Sequence, residues 1–296
     1  MRKGARVIYG TLAIDTLITP HGSADCVLGG SGTYAALAAR FLAPNACLYG
    51  VIGTDFPSSF RDDLLQVGVS LDGVEQCEGS TFAWTGEYEL DMNNRRTVEV
   101  LEGVQDDWAP HLPQFMAQPS MLLACNVRPD LQWAVIEQCP DDCIIIADFM
   151  KSWLEREPAY VAQILARATI ALMNDEEAKF FAQSDSLEHA ARAILAAGSR
   201  FALIKQGSEG SHLYTFVGGE LLHHHCAADQ IDDACDPTGA GDSYMGALGA
   251  YLMAHIAPNE NRPISWDDLV CAMPYASRLA AQACRSFGPR ALLSFR

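Results

Sequence analysis

Short apolar runs recur along the chain at residues 7–12, 47–52, 121–127, 143–149, 169–173 and 201–205. Runs of roughly four to eight apolar residues without polar alternation read as strands buried on both faces. Between most of them lie longer stretches with apolar positions at helical spacing, at 33–42, 58–67, 130–138, 158–168 and 187–197. This alternation predicts an α/β fold, a largely parallel sheet covered by helices on both faces. Sheets of this kind hold ligands beyond the carboxyl ends of their strands. The residues at those ends are Asn126, Asp148, Asn174 and Lys205.

Residues 81–100 break the rhythm. They read as an alternating strand, a turn around Asn93 and Asn94, and a second alternating strand, a hairpin set off from the main sheet. The segment 14–28, between the first strand and the first helix, is placed to pair with this hairpin and complete a small β lid. No tandem repeat, low-complexity tract or Pro/Ser-rich linker divides the chain. The expectation is one domain over 1–296 with lid segments near 14–28 and 81–100. Trp84 and Tyr88 fall on one face of the hairpin and read as packing or as a lid-to-lid homodimer contact, ahead of stacking on a base. Arg95 and Arg96 flank the turn and read as solvated, with reach toward the cleft when the lid closes.

Composition narrows the class. The 296 residues are 49% hydrophobic and 19% charged, the make-up of a chain that buries a core rather than a disordered or fibrous one. Twenty Lys and Arg against 37 Asp and Glu give a formal net charge of −17, so the overall field opposes nucleic acid and anionic membranes. A phosphate-bearing ligand therefore needs a local positive site. Ten cysteines without repeated CxxC pairs read as buried free thiols rather than a metal or disulfide framework. No uncharged apolar segment has the ~20 residues of a membrane span, the start lacks the apolar core of a secretory signal, and a reducing cytoplasm fits the cysteine usage.

The run from Asp236 through Pro237, Thr238, Gly239, Ala240, Gly241 and Asp242 carries the most chemistry. Its small residues let a phosphate oxygen approach backbone N–H groups. The apolar stretch 244–256 that follows reads as a buried helix, whose N-terminal amides and dipole suit an anion. Asp242 beside a bound phosphate would meet repulsion unless it does chemistry, such as taking the proton of an attacking hydroxyl. An ordinary N-cap Asp after a glycine turn is the alternative reading.

That run resembles the second signature of the ribokinase or PfkB family of carbohydrate kinases, and four further segments resemble the family in the same order. They are the Gly-Gly segment 29–36, the Gly-x-Asp element 50–55, the Asn-x-x-Glu motif 174–177, and 205–210 with its Gly-x-x-Gly ending. The resemblance implies a three-layer ribokinase-like fold and transfer of the γ-phosphate of ATP to an alcohol group of a sugar or sugar-like molecule. It implies Asp242 as catalytic base, with Gly239, Ala240 and Gly241 as an anion hole. Thr238, Lys205, Gly207 and Gly210 would belong to the nucleotide site. Asn174 and Glu177 would place Mg²⁺ through water, and the family admits a monovalent cation. Asp15, Gly29, Gly30, Tyr34 and Asp55 would face the acceptor. Read alone, Asn174 and Glu177 are an acidic helix start, Lys205 a surface residue in a glycine turn, and Asp15 a turn residue.

The acceptor half departs from the family pattern. Tyr34 stands where an Asn is common, Ser58 where a Gly is expected, and 148–152 replaces an Asp-x-Asn-x-Arg pattern. The acceptor stays open between a ribose-like or hexose sugar and a nucleoside. A non-catalytic nucleotide or sugar sensor on the same fold is disfavoured by retention of Asp242, Asn174 and Glu177. Residues 30–35 also fit a dinucleotide fingerprint with Asp55 downstream, but that motif should follow the first strand at once and the stretch 13–29 intervenes. No P-loop signature is present. His223, His224 and His225 alternate faces along a strand and so do not read as a metal site.

Overall fold

Each long apolar run becomes a strand whose alternate residues enter two different cores. The computed structural model describes residues 4–20, 22–88, 95–232, 234–256 and 262–295; the expected turn at 91–94, residues 89 and 90 before it, and the side chains of Tyr88 and Arg95 lie outside the described residues. In chain order the elements are β1 (Arg6–Tyr9), β2 (Ala13–Thr19), β3 (Gly22–Gly29), α1 (Ser31–Ala39), β4 (Cys47–Gly53), α2 (Ser58–Gln66), β5 (Gly73–Cys77), β6 (Ala83–Tyr88), β7 (Arg95–Leu101), β8 (Met121–Ala124), α3 (Pro129–Ile136) and β9 (Ile144–Asp148). There follow α4 (Lys151–Arg156), α5 (Pro158–Arg167), β10 (Ile170–Asn174), α6 (Asp175–Ala182), α7 (Leu187–Ala196), β11 (Phe201–Lys205), β12 (Ser211–Val217), β13 (Glu220–Cys226), α8 (Ala240–His255), α9 (Trp266–Ala283) and α10 (Arg290–Ser294).

Nine strands form the main sheet in the order β13-β12-β11-β10-β9-β8-β1-β4-β5. Only β12 runs against the rest. Ile8, Leu123, Ile146, Leu172 and Leu203 enter the core covered by α1, α2, α8, α9 and α10. Their neighbours Val7, Leu122, Ile145, Ala171 and Ala202 enter the second core, under α3, α5 and α7. Two-sided burial explains why these strands show no polar alternation. From β1 the strand order runs outward in both directions, and a switch of this kind opens a crevice at the carboxyl ends.

The lid is a four-stranded sheet in the order β3-β2-β6-β7, built from the two segments expected to pair. Helix α8 lies unusually close to its neighbours. A Cβ on Gly246 would stand 2.1 Å from the Ala35 carbonyl oxygen of α1, and one on Gly249 2.5 Å from Leu123 of β8. Strands β1 and β8 are shorter than their apolar runs because the chain beyond them leaves the sheet to hold the start of α1. The Thr11 carbonyl accepts from Gly32 N at 2.9 Å, Thr11 Oγ1 accepts from Ser31 N at 2.9 Å, and Ser31 Oγ donates to the Asn126 carbonyl at 2.8 Å. All ten cysteines are unbridged, but only Cys125, Cys139 and Cys143 are buried, which corrects the expectation of buried thiols: most sit at strand ends and on helix surfaces.

Candidate active site

The glycine turn before α8 is held by a buried carboxylate. Asp236 Oδ1 accepts from Thr238 N at 2.9 Å and Oδ2 from Gly288 N at 3.1 Å, so one side chain shapes the turn and anchors the C-terminal loop to it. Gly239 takes φ 75°, a left-handed conformation that favours glycine, and the Tyr34 ring packs where its Cβ would be, 2.3 Å away. Tyr34 is 1% exposed, so its ring supports the turn from within the core. The Ala240 N–H turns back on the Pro237 carbonyl at 3.2 Å, and the N-cap residue of α8 is Gly239, which brings no side chain of its own. Asp242 lies in the first turn, half-buried.

Opposite this helix end stand the last residues of β9, β10 and β11. Lys205 pairs in register with Asn174, and Leu172, two residues before Asn174, pairs with Asp148. Lys205 Nζ reaches Asp148 Oδ1 at 2.8 Å, with side-chain exposures of 14% and 7%. The ammonium lies 3.1 Å from the position a Gly241 Cβ would take, so the absence of a side chain at Gly241 is what admits it to the head of α8. Burial alone would lower the Lys205 pKa; the charges of Asp148, Glu177 and Asp242 outweigh it and hold the pKa above the ordinary lysine value. Gln132 Nε2 donates to the carbonyls of Ala124, Cys125 and Asp148 at 2.9 to 3.1 Å, tying the ends of β8 and β9 together.

Asn174 and Glu177 form a reciprocal capping box at the start of α6. Glu177 N donates to Asn174 Oδ1 at 2.8 Å and Asn174 N to Glu177 Oε2 at 2.7 Å. Among the described residues no three His, Cys, Asp or Glu side chains converge as a metal cage. With so few protein ligands, Asn174 and Glu177, the latter within the electrostatic reach of Lys205, fit instead an Mg²⁺ ion held mostly by phosphate oxygens and water. Gly207 and Gly210 both adopt positive φ, and a Cβ on Gly210 would stand 2.1 Å from the Cys226 carbonyl oxygen.

On the lid side, Asp15 is 4% exposed, and its Oδ1 has no hydrogen-bond partner among the described residues. Its pKa is pushed up to about 7, first by burial, against the opposing Gly30 N–H, and further by the charges of Asp236 and Asp242. The carboxylate occupies the space beside Gly29, where a Cβ would be 1.9 Å from Asp15 Oδ2; Gly30 takes φ 95°, and a Cβ on it would be 2.3 Å from the Thr11 carbonyl oxygen. Asp55 is engaged elsewhere: its Oδ1 accepts from Thr81 N at 2.7 Å and Thr81 Oγ1 at 2.6 Å, at the point where the chain leaves β5 for the lid. The site thus brings Asp15, Lys205, Glu177 and Asp242 into one electrostatic cluster and leaves Asp55 bound to Thr81 at the foot of the lid. The sequence did not single out Asp236 as an anchor or Asp148 as a partner of Lys205, although both ends of the latter pair were visible as polar residues closing apolar strands.

His212, His223 and His225 share one face of the β12–β13 hairpin as a ring stack, with centroids 5.1 and 4.6 Å from His212. His212 Nδ1 and His223 Nε2 are hydrogen-bonded at 2.8 Å, and burial together with the neighbouring histidines pushes the His212 pKa down to about 4. Among the described residues no helix is long and apolar enough to cross a membrane.

The sequence profile described as pfkB family carbohydrate kinase matches residues 11–295. A cytidine kinase of Thermococcus kodakarensis is 24% identical over 245 residues, 82% of this chain and 86% of its own length. A solved nucleoside kinase of Burkholderia thailandensis in complex with inosine superposes with a TM-score of 0.74 at 19% identity, covering 97% of this chain and 93% of its own. A fructokinase of Vibrio cholerae in a fructose, ADP and calcium ion bound form superposes with a TM-score of 0.76 at 19% identity, covering 99% and 96%. At such identity these structures establish the fold, the three-layer ribokinase-like arrangement.

Proposed function

The chain belongs to the pfkB family of carbohydrate kinases, and from that premise we propose that it transfers the γ-phosphate of ATP to an alcohol group of a sugar or nucleoside with Asp242 as general base. The observation that supports this most is the meeting of three kinds of group at one end of the sheet. These are the glycine-headed N-terminus of α8, the Lys205 ammonium beside Gly241, and the Asp242 carboxylate in the same turn. A phosphoryl group docked on the amides of Gly239 to Gly241 would have Lys205 at its flank, so negative charge gathering on its oxygens is stabilised by groups already in place.

Asp242 then takes the proton of the acceptor hydroxyl as its oxygen attacks in line. Asp15, with an orphaned buried Oδ1, orients the acceptor from the lid side. Lid strands above the cleft exclude water that would otherwise compete as acceptor. Thr238, Gly207 and Gly210 belong to the nucleotide side of this reading, and Gly29 and Gly30 to the acceptor side. Bound Mg²⁺ would supply phosphate charge neutralisation, with Glu177 and Asn174 as its water-mediated holders. The test is ATP consumption over a panel of pentoses, hexoses and nucleosides with wild type and Asp242→Asn. The variant is expected to lose about 10²- to 10⁴-fold in kcat; equal turnover by the two proteins removes Asp242 from the role.

A further inference from the structure

The lid carries an aromatic side chain that the phosphoryl-transfer groups do not use. In the parallel pairing of β2 with β6, Asp15 lies opposite Trp84 and Leu17 opposite Gly86. Residues paired across a sheet project to the same face. Ala13, Asp15, Leu17 and Thr19 are the buried set of an alternating strand, and Asp15 feels the charges of Asp236 and Asp242. Trp84 therefore stands on the face of the lid that turns to the cleft.

The indole lies flat along its own strand. A Cβ on Gly86 would be 1.9 Å from the ring atom Cη2 and 2.4 to 2.5 Å from Cζ2 and Cζ3. Its Nε1 donates to Thr97 Oγ1 at 3.2 Å, and Thr97 is the residue of β7 paired with Gly86. Val100, paired with Trp84 itself, is 45% exposed. The ring is thus backed by a glycine, tethered at its edge and bordered by an exposed apolar side chain. It reaches two residues along β6 from the level of Asp15, roughly 7 Å at the rise of a strand. A single sugar ring whose hydroxyls sit at Asp15 meets only the near part of the indole; a planar group attached to that ring can cover the rest.

We propose that Trp84 is the stacking surface for the base of a nucleoside acceptor whose ribose hydroxyls meet Asp15, so that the substrate class is nucleosides rather than free sugars. This rests on the kinase reading above and names the substrate of the same site. Gly86 is a positioning residue, because only a residue without a side chain leaves the ring flat.

Two measurements separate this inference from its premise. The first is steady-state phosphorylation of cytidine, uridine, adenosine, inosine, ribose and fructose by wild type, Trp84→Ala, Trp84→Phe and Gly86→Ala, each checked for an unchanged melting transition. At least one nucleoside is expected to exceed both sugars in kcat/KM. For that nucleoside, Trp84→Ala should raise KM roughly five- to hundredfold, the range of base–aromatic stacking, while the KM for ATP stays constant. Trp84→Phe should keep most of the affinity, and Gly86→Ala should behave like Trp84→Ala. The second is calorimetric binding of the same nucleosides, which needs no turnover. Nucleoside binding that depends on Trp84 without phosphate transfer sinks the kinase reading and keeps the platform. Phosphorylation of sugars in preference to every nucleoside, nucleoside affinity unaltered in Trp84→Ala, or no nucleoside binding at all overturns the platform.

Discussion

Two ionisable side chains in the cleft sit where burial and charge act against each other. Lys205 keeps a raised pKa despite burial because three carboxylates surround it, Asp148 closest. Replacing Asp148 by Asn should leave the ammonium buried with a weaker partner, lower the pKa of Lys205 and shift the alkaline limb of kcat to lower pH; Asp148→Glu should restore it. Asp148→Ala, which strands a buried charge, should also cost on the order of 3 kcal/mol by urea titration. An unchanged pH profile in Asp148→Asn would show that Lys205 plays no part in transfer. For Asp15 the shift is upward, to about 7 from an ordinary 3.8. Between those values the folded protein holds a proton that the unfolded chain has released, so the stability from this group is full below pH ~4 and is lost as pH rises through 7. Asp15→Asn should flatten that slope between about pH 4 and 7. Acceptor affinity should run the other way, with KM falling as pH rises from 6 to 8, since only the ionised carboxylate accepts at both oxygens. These residues were unequally legible. Asp242 and its glycines form one contiguous run, whereas Asp148 and Lys205 are 57 positions apart and meet only through the register of β9, β10 and β11. The position of Tyr34 within its segment was visible, but its burial beneath Gly239 depends on how closely α1 approaches α8.

At the scale of elements, α8 governs the site because its N-terminal turn is fixed by what its body packs on. The Gly246 contact with α1 leaves no room for a methyl group. Gly246→Ala should therefore push the two helices apart and cost roughly 1 to 3 kcal/mol, read as a lower denaturant midpoint at constant slope. Because Tyr34 of α1 supports Gly239, the same variant should lower kcat more than it raises the KM for ATP. Full stability and activity in Gly246→Ala would mean that the helices have slack the geometry does not suggest. The buried strands and α8 were readable because two-sided burial leaves unbroken apolar runs, and the lid because one-sided exposure leaves alternation. Other elements were hidden for physical reasons. Helix α9 carries Pro274 in its middle, which interrupts the helical pattern. Helix α6 showed only its acidic start, Asp175 to Glu177, because few of its positions are buried. Strands β5, β12 and β13 lie toward the edges of the sheet, where half-exposed faces admit Glu, Gln and His.

For the whole molecule, the overall field opposes the few groups proposed to meet phosphate, the amides of α8 and the one ammonium set among carboxylates. A formal charge of −17 repels a nucleotide triphosphate at a distance, while the amides of α8 and the Lys205 ammonium attract it at contact. The two contributions differ in range. The first is spread over the surface and is screened within a Debye length of about 10 Å at 0.1 M salt; the second is buried and screened far less. Raising ionic strength from ~10 to ~150 mM should therefore remove more repulsion than attraction, and kcat/KM for MgATP should rise by a small factor. A nucleic-acid-binding protein would show the reverse, a steep loss of affinity with salt. Tetramethylammonium chloride is the salt to use, since a bulky cation keeps screening apart from any specific monovalent cation effect. Neutral acceptors feel no long-range term, so their KM should stay flat across the same series. A fall in kcat/KM for MgATP would mean that the nucleotide enters along a positive path which neither the charge balance nor the position of Lys205 reveals.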